Sequence, residues 1–362
     1  MKIQIFRLLI FILVSIFILN CYGTVQLDND VKFLRQKKSI IPVEPSLKWQ
    51  RKTRDPIQDL IPLNDSLALA WTHRGTVMIL NLNDGKKEGS AWTPSMGHIT
   101  SITVNRDADW FVYVSMKNRQ AGAYNLRSGK QIWKNRMDHL VRDGALILTD
   151  TVVVMGTRQE LKLYNALDGE LIKENHNRFG ITKLFAAGRD RFLAVTDAGD
   201  LQCYDHQLSQ LWTQPIGLNS ESKTDIHQGR IFTGPGRDTL WVLDEKTGNI
   251  HLELPFRNGF DFETLENDEL VLAYRDGRVS KINLDGDRSW TADFGLGIPG
   301  ASFIHAGDHL FLPYARGVAL NVDSRTGKEI WRSEHLRRLT GFWPAGSGFL
   351  IQDVKYQMRF YQ

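Results

Sequence analysis

From Ser46 onward the chain is a succession of short apolar runs separated by short polar turns. Eight runs, SLALAWT, WFVYVSM, TVVVMGT, RFLAVTD, RIFTGPG, ELVLAYR, HLFLPYA and FLIQDVK, are dominated by aliphatic, β-branched and aromatic residues, as buried strands are. Each belongs to a four-strand unit, shown most cleanly from Ile181: ITKLFAAG, RFLAVTD, DLQCYD and QLWTQP, with turns at Arg189-Asp190, Ala198-Gly199 and Gln207 to Ser209. We name these strands A to D. The turn between C and D usually carries glycine, and strand D usually carries tryptophan: the copies end at Trp92, Trp133, Ile172, Trp212, Leu252, Trp290 and Trp331.

Between the turn glycines Gly85, Gly129, Gly169, Gly248, Gly286 and Gly327 the steps are 44, 40, 79, 38 and 41 residues, the long one holding two units with Ser209 in place of glycine. A period near 40 built only of strands and turns marks a β-propeller with one four-stranded blade per repeat. Glycine supplies positive φ at the turn, and tryptophan offers a broad face for packing between blades. Strands B and C each occur eight times, the last C being QMRFY. The eighth blade therefore lacks a D strand at the C-terminal end. Residues 46–53, SLKWQRKT, have the strand D pattern with Trp49 in the repeated position but no preceding A, B or C. The expected fold is all-β: an eight-bladed β-propeller of four-stranded antiparallel blades, its ring closed by pairing of residues 46–53 with 357–361. Closure removes the edges an open array would expose.

The N-terminus changes the picture. A short basic start, MKIQIFR, leads into the apolar run LLIFILVSIFIL, too short to favour a membrane span and typical of a secretory leader. Ile18-Leu19-Asn20-Cys21 resembles a lipoprotein processing site, with Asn20 where a small residue is usual. The expected organisation is a signal peptide over 1–20, an acylated Cys21 and tether over 21–45, and a propeller over 46–362. Two or three acyl chains, at about 0.8 kcal/mol per buried methylene, would hold the protein on a membrane. Cleavage at an ordinary site with an incidental cysteine is the competing reading. The only other cysteine, Cys203, alternates with Tyr204 in a strand and reads as a small core residue.

Past the leader the chain carries 43 basic and 41 acidic side chains, so bulk charge argues against nucleic acid as a partner. Charge is instead sorted by turn. The B–C turns carry Arg74, Lys117 with Arg119, Arg158, Arg237, Arg275, Arg316 and Lys355, with Asp197 the exception. The D–A loops open on the same face and add Arg54, Arg178, Arg257, Arg337 and Arg338, beside Phe179, Phe260, Phe342 and Trp343. The A–B turns opposite are acidic: Asp65, Asp107, Asp109, Asp150, Asp190, Asp268 and Asp308. The candidate partner-binding set is Arg74, Arg119, Arg158, Arg237, Arg275, Arg316, Arg337, Arg338, Phe342 and Trp343, facing an acidic protein surface. Solvated hairpin turns without a partner are the alternative. No catalytic residue, metal site or cofactor is expected; His305 and His309 around Asp308 read as a hairpin.

Asp244 to Gly248 and Asp323 to Lys328 resemble the quinoprotein-type propeller repeat, in which a strand, Asp-x-x-Thr-Gly-Lys and tryptophan follow in order. The resemblance spans 46–362 and implies fold rather than function. Quinone-dependent dehydrogenases share the repeat, but no adjacent cysteine pair, covering insertion or axial cluster of acids and amides is legible, which leaves a redox enzyme a distant alternative. An exported, lipid-anchored propeller of this length resembles the outer-membrane assembly factor B lipoproteins. That resemblance implies a monomeric scaffold on the outer membrane facing the periplasm, binding periplasmic domains of the barrel-assembly subunit. The nearer rival is a lipoprotein propeller for another envelope or extracellular ligand.

Overall fold

The computed structural model describes Leu27 and residues 41–362 apart from 93–97, 106, 140–143, 150–151, 158, 189, 237, 266–267 and 335. The leader and Cys21 lie outside the described residues. Eight separate sheets of four antiparallel strands follow one another around a ring. Blade 1 runs Ile57–Pro62, Leu67–Thr72, Val77–Asn81 and Lys87–Trp92, and blade 4 runs Ile181–Ala186, Arg191–Thr196, Asp200–Asp205 and Gln210–Pro215. The expected eight-bladed propeller is the fold observed.

Burial follows position in the blade. Strand B, with a neighbour on each side and a blade on each face, is buried along its whole length in LALAWT of blade 1 and WFVYVS of blade 2. Strand D, on the rim, is mostly exposed, as in Leu171–His176 of blade 3. The core therefore lies in the seams between blades. Leu69, Trp71 and Ile79 of blade 1, for example, pack against Ile102, Phe111 and Tyr113 of blade 2.

The turn glycine and the strand D tryptophan meet across these seams. Four of the indoles lie over the C–D turn of the following blade: Trp49 over Gly85, Trp133 over Gly169, Trp212 over Gly248 and Trp290 over Gly327. A Cβ on Gly248 would come within 2.5 Å of the Trp212 ring, and the turn holds φ at 71°. Three of these indoles also donate to the turn they cover, from Nε1 of Trp49 to Leu82 O, Trp133 to Ala166 O and Trp290 to Ser324 O. In blade 3 the tryptophan position is Lys173, one residue beyond the expected Ile172, and its Nζ donates to Gln207 O of blade 4 at 2.6 Å. Blade 4 is the copy whose turn has Ser209 instead of glycine. In blade 5 the tryptophan position is Leu252, and the turn after it, in blade 6, keeps Gly286 with no indole over it.

Ring closure occurs as expected. Leu47–Lys52 pairs antiparallel with Gln357–Tyr361, Trp49 opposite Phe360 and Lys52 opposite Gln357, making the fourth strand of blade 8. Ser46 and Gln362 exchange both backbone hydrogen bonds at 3.0 Å. One blade departs from the pattern: strand A of blade 7 is only Ile304–Ala306, because the glycine-rich loop before it, 294–303, pairs with the blade by the single bridge Pro299 to Tyr314.

Candidate functional site

Strand order places the B–C and D–A connections on one face of the disk and the A–B and C–D connections on the other. Among the described residues the first set carries eleven cations and seven carboxylates, and the second six cations and twelve carboxylates. The disk is thus polar from face to face, with the signs expected.

Within the basic face the structure separates paired from unpaired cations. Arg74 Nε lies 3.1 Å from Asp55, and Arg275 Nη2 lies 2.6 Å from Glu221. Arg119 donates weakly to Asp138 O at 3.4 Å. Arg158 and Arg237 lie outside the described residues. Arg316, Arg337 and Arg338 are exposed and, like Lys355, have no ion pair with a described carboxylate.

The backbone brings these four together. Leu336 N donates to Gly317 O at 2.7 Å, tying the loop of Arg337 and Arg338 to the turn of Arg316, and Val354 N donates to Arg338 O at 3.0 Å, tying it to the turn of Lys355. The approach is close because Gly317 has no side chain; a Cβ there would sit 2.0 Å from Leu336 O. The result is one cationic patch over blades 7 and 8.

Phe342 and Trp343 do not belong to it. Both lie on strand A of blade 8, 6% and 9% exposed, Phe342 packed with Phe311 and Phe349 and Trp343 with Ala345 and Leu350. Strand A begins at Leu339, so these aromatics fill seams rather than cap a loop. Apolar surface on the patch comes instead from Ile298, 60% exposed, with Val354 and Tyr356. Ile298 O accepts from Ala315 N at 3.0 Å, which seats it next to Arg316. An isolated isoleucine in a glycine-rich loop carries no sequence signal; the strand pairings are what locate it.

The innermost strands hold a second charged group that the alternation of strand A did not reveal. Lys223 of blade 5 reaches blade 6, with Nζ 2.6 Å from Phe262 O, 2.9 Å from Glu263 Oε2 and 3.2 Å from Asp261 Oδ1. Asp261 in turn accepts from Phe303 N of blade 7 at 3.2 Å, and Thr264 hydrogen-bonds Asp225. Burial disfavours the Lys223 cation, but the Asp261 and Glu263 carboxylates outweigh it and hold its pKa above the ordinary lysine value. Burial, with Asp225 and Asp261 nearby, raises Glu263 despite the ammonium. A lysine held as a cation is neither base nor nucleophile. What the cluster does is join blades 5, 6 and 7, as Thr103 to Ala145 O and Lys183 to Ser222 O join blades 2 to 3 and 4 to 5.

Beside this cluster a cavity of about 1130 Å³ opens toward the acidic face, lined by residues of blades 5 to 8, among them His227, Glu263, His305, Arg325 and Phe342. Its main charges are internally matched: Lys281 lies 2.7 Å from Glu269, and Arg325 lies 3.0 Å from Asp308. Among the described residues no group of three or more His, Cys, Asp or Glu side chains could hold a metal ion. Cys203 is buried, which pushes its thiol up to about 11 and leaves it unreactive.

A model of the family described as outer membrane protein assembly factor BamB matches residues 197–340. No curated protein matches the sequence. Among solved structures the chain is similar to BamB from Moraxella catarrhalis, at 16% identity over 88% of this chain and 99% of that one, with a TM-score of 0.72. It is also similar to the computationally designed Ika8 protein, at 12% identity over 90% and 99%, TM-score 0.69, and to Saccharomyces cerevisiae Sqt1, at 10% over 88% and 98%, TM-score 0.71. At these identities the structural likeness speaks for fold alone. By fold and repeat, the chain is a PQQ-like β-propeller that resembles BamB.

Proposed function

We propose that this chain is a non-enzymatic scaffold, held on the outer membrane through acylated Cys21 and facing the periplasm, that captures protein partners during assembly of outer-membrane β-barrels. The observation that carries the reading is the match of residues 197–340 to the BamB family model on a complete propeller. Partner capture is assigned to the basic face. Arg316, Arg337, Arg338 and Lys355 frame Ile298, Val354 and Tyr356, an apolar centre with a cationic rim that suits an acidic protein segment. The periplasmic domains of the barrel-assembly subunit are the partner this reading names.

Crosslinking in intact cells followed by purification from membranes tests it. Recovery of the barrel-assembly subunit is expected, and recovery of a glycan or host protein instead would transfer the chain to another envelope role. Reversing Arg316, Arg337 and Arg338 together to glutamate should reduce capture at least tenfold while leaving the thermal melt unchanged. Undiminished capture by that variant would remove the basic face from the reading.

A further inference from the structure

Leu27 lies far from the propeller in sequence, yet its backbone N donates to Arg127 O at 2.9 Å. Arg127 is in the C–D turn of blade 2, and the half-buried Leu27 side chain packs against the cluster formed by blades 1 and 2, which includes Leu63 and Leu126. Leu63 and Leu126 belong to A–B and C–D turns, so this contact is on the acidic face. Residues 41–46 reach the same face: strand D of blade 8 starts there, and Ser46 pairs with Gln362 at the end of strand C.

We propose that Leu27 clips the N-terminal tether to the seam of blades 1 and 2, so that the anchored disk stands with its acidic face toward the lipid and its basic face away. The inference rests on the acylation of Cys21 set out above. Six peptide units separate Cys21 from Leu27, a span of at most about 20 Å. Six-residue strands give a blade about the same height, before its turns are added. A tether clipped at Leu27 is therefore too short to pass around the disk, whereas one free to Ile41, which is buried in the seam of blades 7 and 8, could extend about 68 Å and allow either face to meet the membrane. The difference matters because of the charge sorting. Anionic lipid attracts basic surface, so a freely tethered disk would lie on its cationic face and bury the partner patch. The clip keeps that patch open.

The full chain, extracted from membranes and reconstituted into phosphatidylethanolamine and phosphatidylglycerol vesicles with a head-group acceptor dye, provides the test. A donor dye is placed at Asp168→Cys on the acidic face or at Arg257→Cys on the basic face; Cys203 is buried and stays in place. Energy transfer several-fold higher from position 168 than from 257 is expected, and Leu27→Asp should reverse the order, transfer from 257 becoming the greater, with an unchanged melt and full vesicle attachment. Equal transfer from both positions in the unaltered tether, or an order that survives Leu27→Asp, overturns the orientation. Failure of the anchor is read separately, as flotation with vesicles that Cys21→Ala does not diminish. Slow hydrogen exchange at the Leu27 amide, lost in Leu27→Asp, reports the clip whether or not the chain is acylated, and fast exchange in the unaltered chain would refute it.

Discussion

At the scale of single residues, the repeat is a contract between neighbouring blades. A C–D turn glycine that follows a tryptophan-bearing strand has two duties: it takes a positive φ, and it leaves room for the indole of the blade before it. Gly286 has only the first duty, since the nearest side-chain atom, on Leu254, is 3.9 Å from where a Cβ would stand. The two costs can therefore be measured apart. Gly286→Ala should cost about 1–2 kcal/mol from backbone strain alone. Gly248→Ala, which adds a clash with Trp212, should cost about 1–3 kcal/mol more. A double-mutant cycle of Gly248→Ala with Trp212→Leu, followed by denaturant unfolding, should return a coupling of about 1–3 kcal/mol. Additivity would mean that the indole and the turn are not in the contact described.

At the scale of the element, blade 8 differs from the others because its outer strand comes from the far end of the chain. A polar line runs through it: Arg359 lies 3.1 Å from the buried Asp353 and also donates to Gln50 of the N-terminal strand at 3.0 Å. Burial works against the Asp353 charge, but hydrogen bonds from Gln357 N, Lys355 N and Arg359 prevail and hold its pKa below the ordinary aspartate value. A carboxylate with a lowered folded pKa contributes stability that is present above its unfolded value and lost as pH falls through the folded one. Asp353→Ala should cost about 3 kcal/mol at neutral pH, since it leaves Arg359 largely buried without its partner. The gap in melting temperature to the unaltered chain should narrow as pH drops below the ordinary aspartate range; a pH-independent gap would assign the loss to packing instead. The blades, their count and the closing strand were all legible in the sequence, because strand period, turn glycine and tryptophan are local signals that repeat. The site was legible only in part. Charge sorting by face follows from strand order, so Arg316, Arg337 and Arg338 lie on the face expected for them, but whether an aromatic after a loop points outward depends on where strand A begins. Phe342 and Trp343 fall inside it. The axial group of Lys223, Asp261 and Glu263 escaped notice because it forms between three blades, a proximity that no spacing within one repeat encodes.

At the scale of the whole molecule, stability depends on a ring, and a ring is only as strong as the seam that closes it. The closing strand Leu47–Lys52 secures two junctions together. It completes blade 8 by pairing with Gln357–Tyr361, and it staples blade 8 to blade 1 through Trp49 Nε1 to Leu82 O and Arg51 Nε to Asp84 O, each at 2.6 Å. The inner side of the same seam is held by Gln352, whose side chain bonds both N and O of Ile57 at 2.8 and 3.2 Å. Losing the outer strand would leave strand C of blade 8 as an open edge and uncover Phe360, which Trp49 stacks against at a ring separation of 5.8 Å. Trp49→Ala should therefore cost about 3 kcal/mol, in the range for a large aromatic taken from a packed seam. Removing the chain through Thr53 should cost more and induce concentration-dependent self-association, because an exposed edge strand templates pairing with other copies. A synthetic peptide of residues 46–53 added in trans should reverse that self-association, read by light scattering, and restore most of the lost melting temperature. Full stability of the shortened chain without the peptide would show that the seven complete blades and Gln352 close the ring unaided.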